Sequence, residues 1–248
     1  AVKSSVIGIV GTAPDADADA FPLNTPVLVA GSRLEAAGLD TVGDTSGTLP
    51  NAIEGIFDQI GAVVIVVRVE EGVDEDATLA NIVGGVHALD GNLEGVHALL
   101  GAESVTGFAP RVLVAPGWTH QRPEDSANPV VAELQGIAER LRAVVIADGP
   151  NTTDDAAQAF AGDWGSDRIY VVDPWVKVSR AAEIVSEPAS SRVAGLIAIA
   201  VLGLVIGTEV DVAGTLAALR EAGVLFDRGA RGGFSLWPHS SVDLEAAF

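Results

Sequence analysis

Cysteine and methionine are both absent from this sequence of 248 residues. Without a thiol the protein forms no disulfide and performs no thiolate chemistry, although this leaves its redox compartment open. Because methionine occurs nowhere, we expect the sequence to lack its natural start and to be a trimmed piece of a longer chain.

Basic residues are scarce. The sequence has 14 lysines and arginines against 34 aspartates and glutamates, which gives a formal net charge of −20. Nucleic acids and anionic membranes are bound through clustered positive charge, so the composition excludes both as the main partner. It leaves open whether the acidity complements a basic partner or only keeps an abundant protein soluble.

Long hydrophobic runs and catalytic signatures are missing too. The longest uncharged stretch, residues 193–208, is shorter than the ~20 apolar residues that span a bilayer, so it predicts a buried helix. The first residues contain no signal-peptide core. No GxGxxG, GxxxxGK[ST], GxSxG or HExxH motif occurs, which removes the best-marked nucleotide-binding and hydrolase classes.

The most informative stretch of the sequence is residues 111–175. Apolar runs that end in turn residues (RVLVAPG, AVVIADGPN, DRIYVVDPW) alternate with the amphipathic segment NPVVAELQGIAERLR. This order is typical of parallel strands joined by crossover helices. Asn128 followed by Pro129 predicts the start of the first helix, and Thr153 is a candidate cap for the second.

The first hundred residues predict a smaller mixture of strands and helices. Strands are expected at residues 4–12, 25–30 and 62–69, and a helix at 48–60, where Thr48 is a candidate cap. A short helix is expected at 78–83. The pentapeptide GVHAL occurs twice, from 85 and from 95, and predicts either a hairpin or a strand that leads into a helix. The fold class is therefore α/β, with a mostly parallel central sheet covered by helices and a smaller α+β N-terminal portion.

Five residues follow the predicted parallel strands and should meet at one edge of the sheet: Gly117, Trp118, His120, Asp148 and Asp173. An enzymatic hypothesis makes the two aspartates an acid–base pair or magnesium ligands, with His120 as a proton carrier. The alternative is that each aspartate accepts hydrogen bonds from backbone N–H groups of a turn, which is the commoner role at such positions.

Other candidate ligands have weaker support. His87 and His97 have no second metal ligand at helical or turn spacing. Asp15, Asp17 and Asp19 resemble part of a calcium loop, but the glycine and distal glutamate of an EF-hand are missing, so a solvated loop is favoured. The four tryptophans, Trp118, Trp164, Trp175 and Trp237, are candidate ligand anchors or aromatic plugs at the sheet rim or a subunit contact. We therefore assign no catalytic, cofactor-binding or metal residue.

Several long segments resemble, in order, the contractile tail sheath proteins of bacteriophages, in particular those of P2-like phages and R-type pyocins. They are VIGIVGTAPDADADAFPLNTPVLV, GTLPNAIEGIFDQIGAVVIVVRVEEG, GVHALLGAESVTGFAPRVLVAPGWTHQ, NPVVAELQGIAERLRAVVIADGPNTT and GSDRIYVVDPWVKV. EPASSRVAGLIA resembles the segment that opens the helix after the central sheet and faces inward in the assembled tail. GFSLWPHSSV is similar to the family's GFRLWGNRT.

This resemblance implies a structural subunit without cofactor or enzymatic activity. Such subunits polymerise as rings or a helix around a tail tube and contract to drive it through a cell envelope. The implied partners are copies of the chain, the tail tube protein, and the baseplate and tail terminator proteins. The implied location is the virion, after assembly in the host bacterial cytoplasm.

The resemblance also suggests a domain division and one departure. Residues 1–103 would be the N-terminal α+β sheath portion, 104–208 the central α/β core and 209–248 a remnant of the C-terminal domain. The N- and C-terminal arms that family members exchange between neighbours are expected to be missing. That leaves two alternatives, a trimmed sheath protein or a shortened relative that does not link subunits by strand exchange.

Overall fold

The structure is a computed structural model that describes residues 5–180, 183–206, 225–228 and 234–237, with side chains up to residue 200. It contains these strands: β1 (Ile7–Thr12), β2 (Val27–Ala30), β3 (Val63–Val69), β4 (Gly85–Val86), β5 (Leu93–Glu94), β6 (Val112–Val114), β7 (Val144–Asp148), β8 (Ile169–Val172), β9 (Val176–Arg180), β10 (Glu183–Glu187), β11 (Leu225–Arg228) and β12 (Phe234–Trp237).

The α-helices are α1 (Arg33–Ala36), α2 (Leu49–Phe57), α3 (Glu75–Val83), α4 (Ala102–Thr106), α5 (Pro129–Leu141), α6 (Asp154–Gly162) and α7 (Ser190–Ile206). Short 3₁₀ helices cover Ala37–Leu39, Gly95–Gly101 and Pro123–Asp125.

An eight-stranded sheet in the order β11-β12-β8-β7-β6-β1-β3-β2 forms the centre of the molecule. Its strands pair in parallel except at the two ends, where β2 pairs with β3 and β11 with β12 in antiparallel fashion. The predicted fold class, a mostly parallel central sheet with helices, is confirmed. Two small hairpins, β4–β5 and β9–β10, lie outside this sheet.

Side chains of successive strand residues enter two different cores, one on each face of the sheet. In β3, Ile65 and Val67 point into the first core, whereas Val64 and Val66 point into the second, and all four are fully buried. Leu134 and Phe160, on α5 and α6, cover the first face. Residues of α2 and α7 cover the second face. The protein is therefore a three-layer α/β sandwich, and this explains why β3 is apolar along nearly its whole length.

The sequence predicts a side-chain cap at the start of three helices, and two of these caps form as predicted. The Asn128 side chain accepts the N–H of Val131 at 3.0 Å and Thr153 caps α6. Thr48 precedes α2, but its hydroxyl accepts the N–H of Thr12 at 3.1 Å and so ties the helix start to β1. The predicted short helix at 78–83 begins earlier, at Glu75, after an aspartate cap.

Two further expectations concern boundaries. The first GVHAL copy enters the β4–β5 hairpin and the second forms the 3₁₀ helix Gly95–Gly101, in agreement with the hairpin alternative.

The predicted boundary between residues 103 and 104 does not separate two sheets, because β1 and β6 are neighbours in the same sheet. Most of residues 209–248 lies outside the described part of the chain.

The uncharged stretch that starts at residue 193 is helical, as predicted, since α7 covers most of it. Within the described residues, no helix is both long enough and apolar enough to cross a bilayer.

Candidate functional site at the carboxyl edge of the sheet

Asp148 is the last residue of β7 and is fully buried. One oxygen of its carboxyl group accepts the backbone N–H of Ser190 at 2.7 Å, and the other accepts the Ser190 hydroxyl at 2.6 Å. Ser190 opens α7, and the first N–H groups of a helix have no partner within it. Asp148 therefore anchors the start of a helix that lies 42 residues further along the chain.

Burial controls the protonation of this carboxyl group. Loss of solvent raises the pKa of Asp148 to about 6, against an ordinary value of 3.8. The hydrogen bonds from Ser190 act in the opposite direction, because they stabilise the charged form. The Asp148 backbone N–H donates to the Thr119 hydroxyl at 2.8 Å, so the loop after β6 also contacts this strand end.

Asp173 follows β8 and organises the adjacent turn. Its carboxylate accepts the N–H of Asn151 at 2.7 Å, and partial burial raises its pKa. The Trp175 indole N–H donates to the Gly149 carbonyl at 3.1 Å, and the same ring meets His120 edge to face, with the ring centres 5.0 Å apart. The structure thus brings three of the predicted edge residues, His120, Asp148 and Asp173, together within a packed set of turns, whereas Trp118 packs against the first core.

The arrangement offers little to a substrate. A general acid or base must reach the reacting group, but Asp148 is enclosed and bonded to a helix start. Burial lowers the pKa of His120, so its neutral form is favoured near neutral pH. Within the described residues, no group of three or more histidine, aspartate or glutamate side chains is placed to hold a metal ion. The enzymatic alternative that uses Asp148 and Asp173 is therefore not supported.

The remaining histidine candidates have structural partners. His87 contacts Asp90 at 2.7 Å at the tip of the β4–β5 hairpin, and this hydrogen bond raises the pKa of His87. His97 lies 3.1 Å from Glu133 of α5. Each histidine is thus paired with a carboxylate, and the two lie on different elements.

The aspartate-rich loop after β1 is held by backbone contacts. The Asp17 carboxylate accepts the N–H of Asp19 at 2.9 Å, and the Asp15 carbonyl accepts both the N–H and the hydroxyl of Thr41. The Arg68 guanidinium, at the end of β3, donates to the Phe21 carbonyl at 2.6 Å. Arg68, which interrupts the apolar pattern of its strand, therefore fastens this loop to the sheet.

Three tryptophans take packing roles. Trp118 and Trp164 are partly buried against the first core, and Trp164 meets Phe160 edge to face. Trp175 closes the turn described above. The Trp237 side chain lies outside the described residues.

An ion-pair network that the sequence analysis missed fixes the β9–β10 hairpin to the helices of the second face. Arg180 of β9 binds Glu187 of β10 through two bonds, of 2.6 and 3.1 Å, and also contacts Glu54 of α2. Arg192 of α7 lies 3.0 Å from Asp58 and 3.7 Å from Glu187. Arg180 and Glu54 are 126 positions apart in the sequence, so no local sequence pattern predicts this network.

A cleft of about 270 Å³ opens between the base of this hairpin and the start of α2. Thr48, Asn51, Trp175, Ser186 and Glu187 are among the residues that line it. The Glu187 carboxylate in this cleft is already bound by Arg180 and Arg192. The cleft therefore adds no reactive group to those at the carboxyl edge of the sheet.

Similar proteins agree on one family. The family described as tail sheath protein Gp18 domain III, N-terminal region, matches residues 4–69. A "Putative prophage major tail sheath protein" of Pseudomonas aeruginosa (strain UCBPP-PA14) is 40% identical over 198 residues, which cover 79% of this chain and 48% of that protein. The tail sheath protein of Escherichia phage P2 is 37% identical over 150 residues, which cover 57% of this chain and 34% of that protein.

Residues 4–69 match the tail sheath family, and most of the chain is similar to a tail sheath protein. The resemblance seen in the sequence segments is thereby confirmed. The chain spans about half the length of the first of these relatives and about a third of the second.

One solved structure contains a chain with a similar fold. The baseplate of the anti-feeding prophage in its contracted state contains a chain that superposes with a TM-score of 0.56 at 16% identity, over 79% of this chain and 49% of that one. At this identity the likeness establishes the fold alone.

Two sheet edges of the described structure differ in how accessible they are to another chain. The β2 edge of the large sheet is blocked, because Pro26 precedes the strand and the Glu35 carboxylate accepts the N–H of Ala30 at 2.6 Å. The β9–β10 hairpin is more open, since its two strands pair only with each other in the described structure and Ile184 is 76% exposed.

Proposed function

We propose that this chain is a structural subunit of a contractile tail sheath, which polymerises around a tail tube and contracts to drive the tube through a cell envelope. The observation that carries the proposal is the match to tail sheath proteins over 79% of the chain at 40% identity. In this proposal the subunit has no enzymatic role, and its partners are copies of itself, the tube protein, and the baseplate and terminator proteins.

The architecture supports a mechanical role. Contraction requires bodies that keep their shape while the contacts between them change. A sheet with a packed core on each face is such a body, because both faces are buried and interiors of this density resist deformation. Asp148 and the arginines of the hairpin network add to this rigidity by joining elements that are distant in sequence.

We further propose that the protein is assembled in the host cytoplasm and resides in the virion. The division into an N-terminal portion (residues 1–103), a central core (104–208) and a remnant of a C-terminal domain (209–248) stays a proposal, in which strands of the first two parts share one sheet. Extended segments from neighbouring subunits would pair with the open β9–β10 hairpin.

Co-sedimentation with tail tubes tests the proposal. Purified chain is mixed with tubes of a P2-like phage and pelleted under conditions in which the free chain stays in solution. The expected result is pelleting that depends on the tube, with sleeves or rings visible by negative-stain electron microscopy. Strictly monomeric behaviour in all conditions, without binding to tubes, would contradict the proposal.

A further inference from the structure

Four arginines gather at one corner of this acidic protein, at the amino ends of three neighbouring strands. Arg111 directly precedes β6, Arg140 lies in the last turn of α5, Arg142 directly follows that helix, and Arg168 directly precedes β8. These strands are adjacent in the sheet. We call Arg111, Arg140, Arg142 and Arg168 the arginine corner.

Two of these arginines have a structural task and two do not. The Arg111 guanidinium donates to the Leu141 carbonyl and that of Arg168 to the Ala143 carbonyl at 3.2 Å, so both support the turn after α5. Arg140 and Arg142 are exposed, and neither has a carboxylate within 4.0 Å among the described residues. Their charge is therefore available to a partner.

The four arginines outnumber the exposed acids that lie next to them in the sequence. Glu139 and Asp167 are the exposed acids that lie beside the corner in the sequence, against four arginines. A local excess of positive charge is unusual in a chain of net charge −20, and exposed arginines are the side chains best suited to bind carboxylates.

The opposite ends of the same strands carry the complementary charge. Glu124 and Asp125 lie in the loop that follows β6, and Asp154 and Asp155 in the first turn of the helix that follows β7, all exposed. The one arginine of these loops, Arg122, is bound to Asp163 by bonds of 2.8 and 3.1 Å and lies 4.0 Å from Asp125. We call Glu124, Asp125, Asp154 and Asp155 the acidic end.

We propose that copies of this chain stack head to tail along the strand direction, with the arginine corner of one copy against the acidic end of the next. This inference rests on the proposed function, since it specifies one contact of the polymer. Because β6, β7 and β8 are parallel, their two ends differ in charge, and the contact joins two different surfaces. Such heterologous contacts propagate into rings or helices rather than closing as a dimer.

A second copy fits the corner better than a nucleic acid. The rest of the surface carries a large excess of negative charge. A nucleic acid is longer than the arginine corner, so the part of it that lies outside the corner would be repelled. A protein surface that presents a few carboxylates meets only the corner, and the attraction sets the orientation of the contact.

Charge-reversal variants test the proposal by sedimentation velocity at about 50 mM and about 500 mM salt. Variant A carries Arg140→Glu and Arg142→Glu, and variant B carries Glu124→Lys and Asp155→Lys. We expect the wild-type chain to associate at low salt, and each variant alone to associate at least about tenfold more weakly. An equimolar mixture of A and B should restore association, because the reversed corner of A then faces the reversed end of B, and the native acidic end of A faces the native arginine corner of B.

Variant B serves as the control for net charge. Reversal makes A more negative and B less negative by the same amount, so an effect of net charge alone would weaken association of A and strengthen that of B, and weakening of both reports on the contact itself. Circular dichroism should show unchanged folds, since all four side chains are exposed. Recovery on mixing supports the stacking.

The remaining outcomes overturn it in distinguishable ways. The head-to-tail contact is refuted if variant A associates as strongly as the wild type, or if mixing A and B does not restore association. In either case, the sheath function still stands as long as the wild-type chain assembles. A wild-type chain that stays monomeric at both salt concentrations refutes both. Binding of labelled duplex DNA that is lost in variant A would assign the corner to nucleic acid instead.

Discussion

Replacement of Asp148 by asparagine should remove a pH dependence of stability that the wild-type protein has. Burial raises the pKa of Asp148 from 3.8 to about 6. Below the lower value the carboxyl group is protonated in both states, and above the higher value it is charged in both. Between them the folded state binds the extra proton, so the free energy of unfolding falls as the pH rises.

The difference of about two pKa units corresponds to about 3 kcal/mol in total, of which roughly 2 kcal/mol falls between pH 4 and pH 7. Asparagine is neutral throughout, and its oxygen can still accept the N–H of Ser190. Relative to the wild type, Asp148→Asn should therefore gain roughly 2 kcal/mol of stability between pH 4 and pH 7.

Urea unfolding of both proteins at several pH values, followed by circular dichroism, measures this difference. Asp173→Asn is the matched control at the next strand end, and its change should be smaller, because that carboxyl group is only partly buried. A difference between wild type and Asp148→Asn that stays constant, or that changes in the opposite direction, would refute the claim that burial dominates at this site.

Three more substitutions test the packing. In urea unfolding, Gly195→Ala should destabilise the protein by about 1 kcal/mol or more, because the new Cβ would lie 3.0 Å from the Ile56 carbonyl oxygen, where α7 crosses α2. Gly136→Ala on α5 is the control. Its Cβ would meet nothing within 4 Å, so this change should be neutral or stabilising. Leu134→Ala, at a fully buried site, should cost about 2–5 kcal/mol in urea unfolding, and a cost below 1 would contradict its core position. Glu187→Gln should cost about 1–3 kcal/mol and reduce the salt dependence of unfolding; an unchanged salt dependence would show that the hairpin network contributes nothing.

Much of the fold could be predicted because its signals are local. The apolar run at Val63–Val69 and the alternation of strands with amphipathic helices from residue 111 onwards are patterns of a few residues, and they specify a doubly covered parallel sheet. The meeting of His120, Asp148 and Asp173 followed from the same logic, since parallel strands end at one edge.

The partners of these residues could not be predicted, because they are distant in sequence. Asp148 was expected either to act chemically or to bond its own turn, but its carboxyl group binds Ser190 of α7. The β9–β10 hairpin depends on Arg180 and Glu54, which meet only in the folded chain. Sequence patterns record the local geometry of each element, whereas these contacts depend on tertiary packing.

Electron microscopy of the purified chain, across a range of protein concentrations, tests the central claim most directly. If the molecule is a rigid building block that acts by contact with its own copies, rings, sleeves or stacked oligomers should appear as the concentration rises. Monodisperse single particles at every concentration, together with a small molecule or metal ion that binds at the Asp148 and Asp173 edge and stabilises the fold, would contradict it.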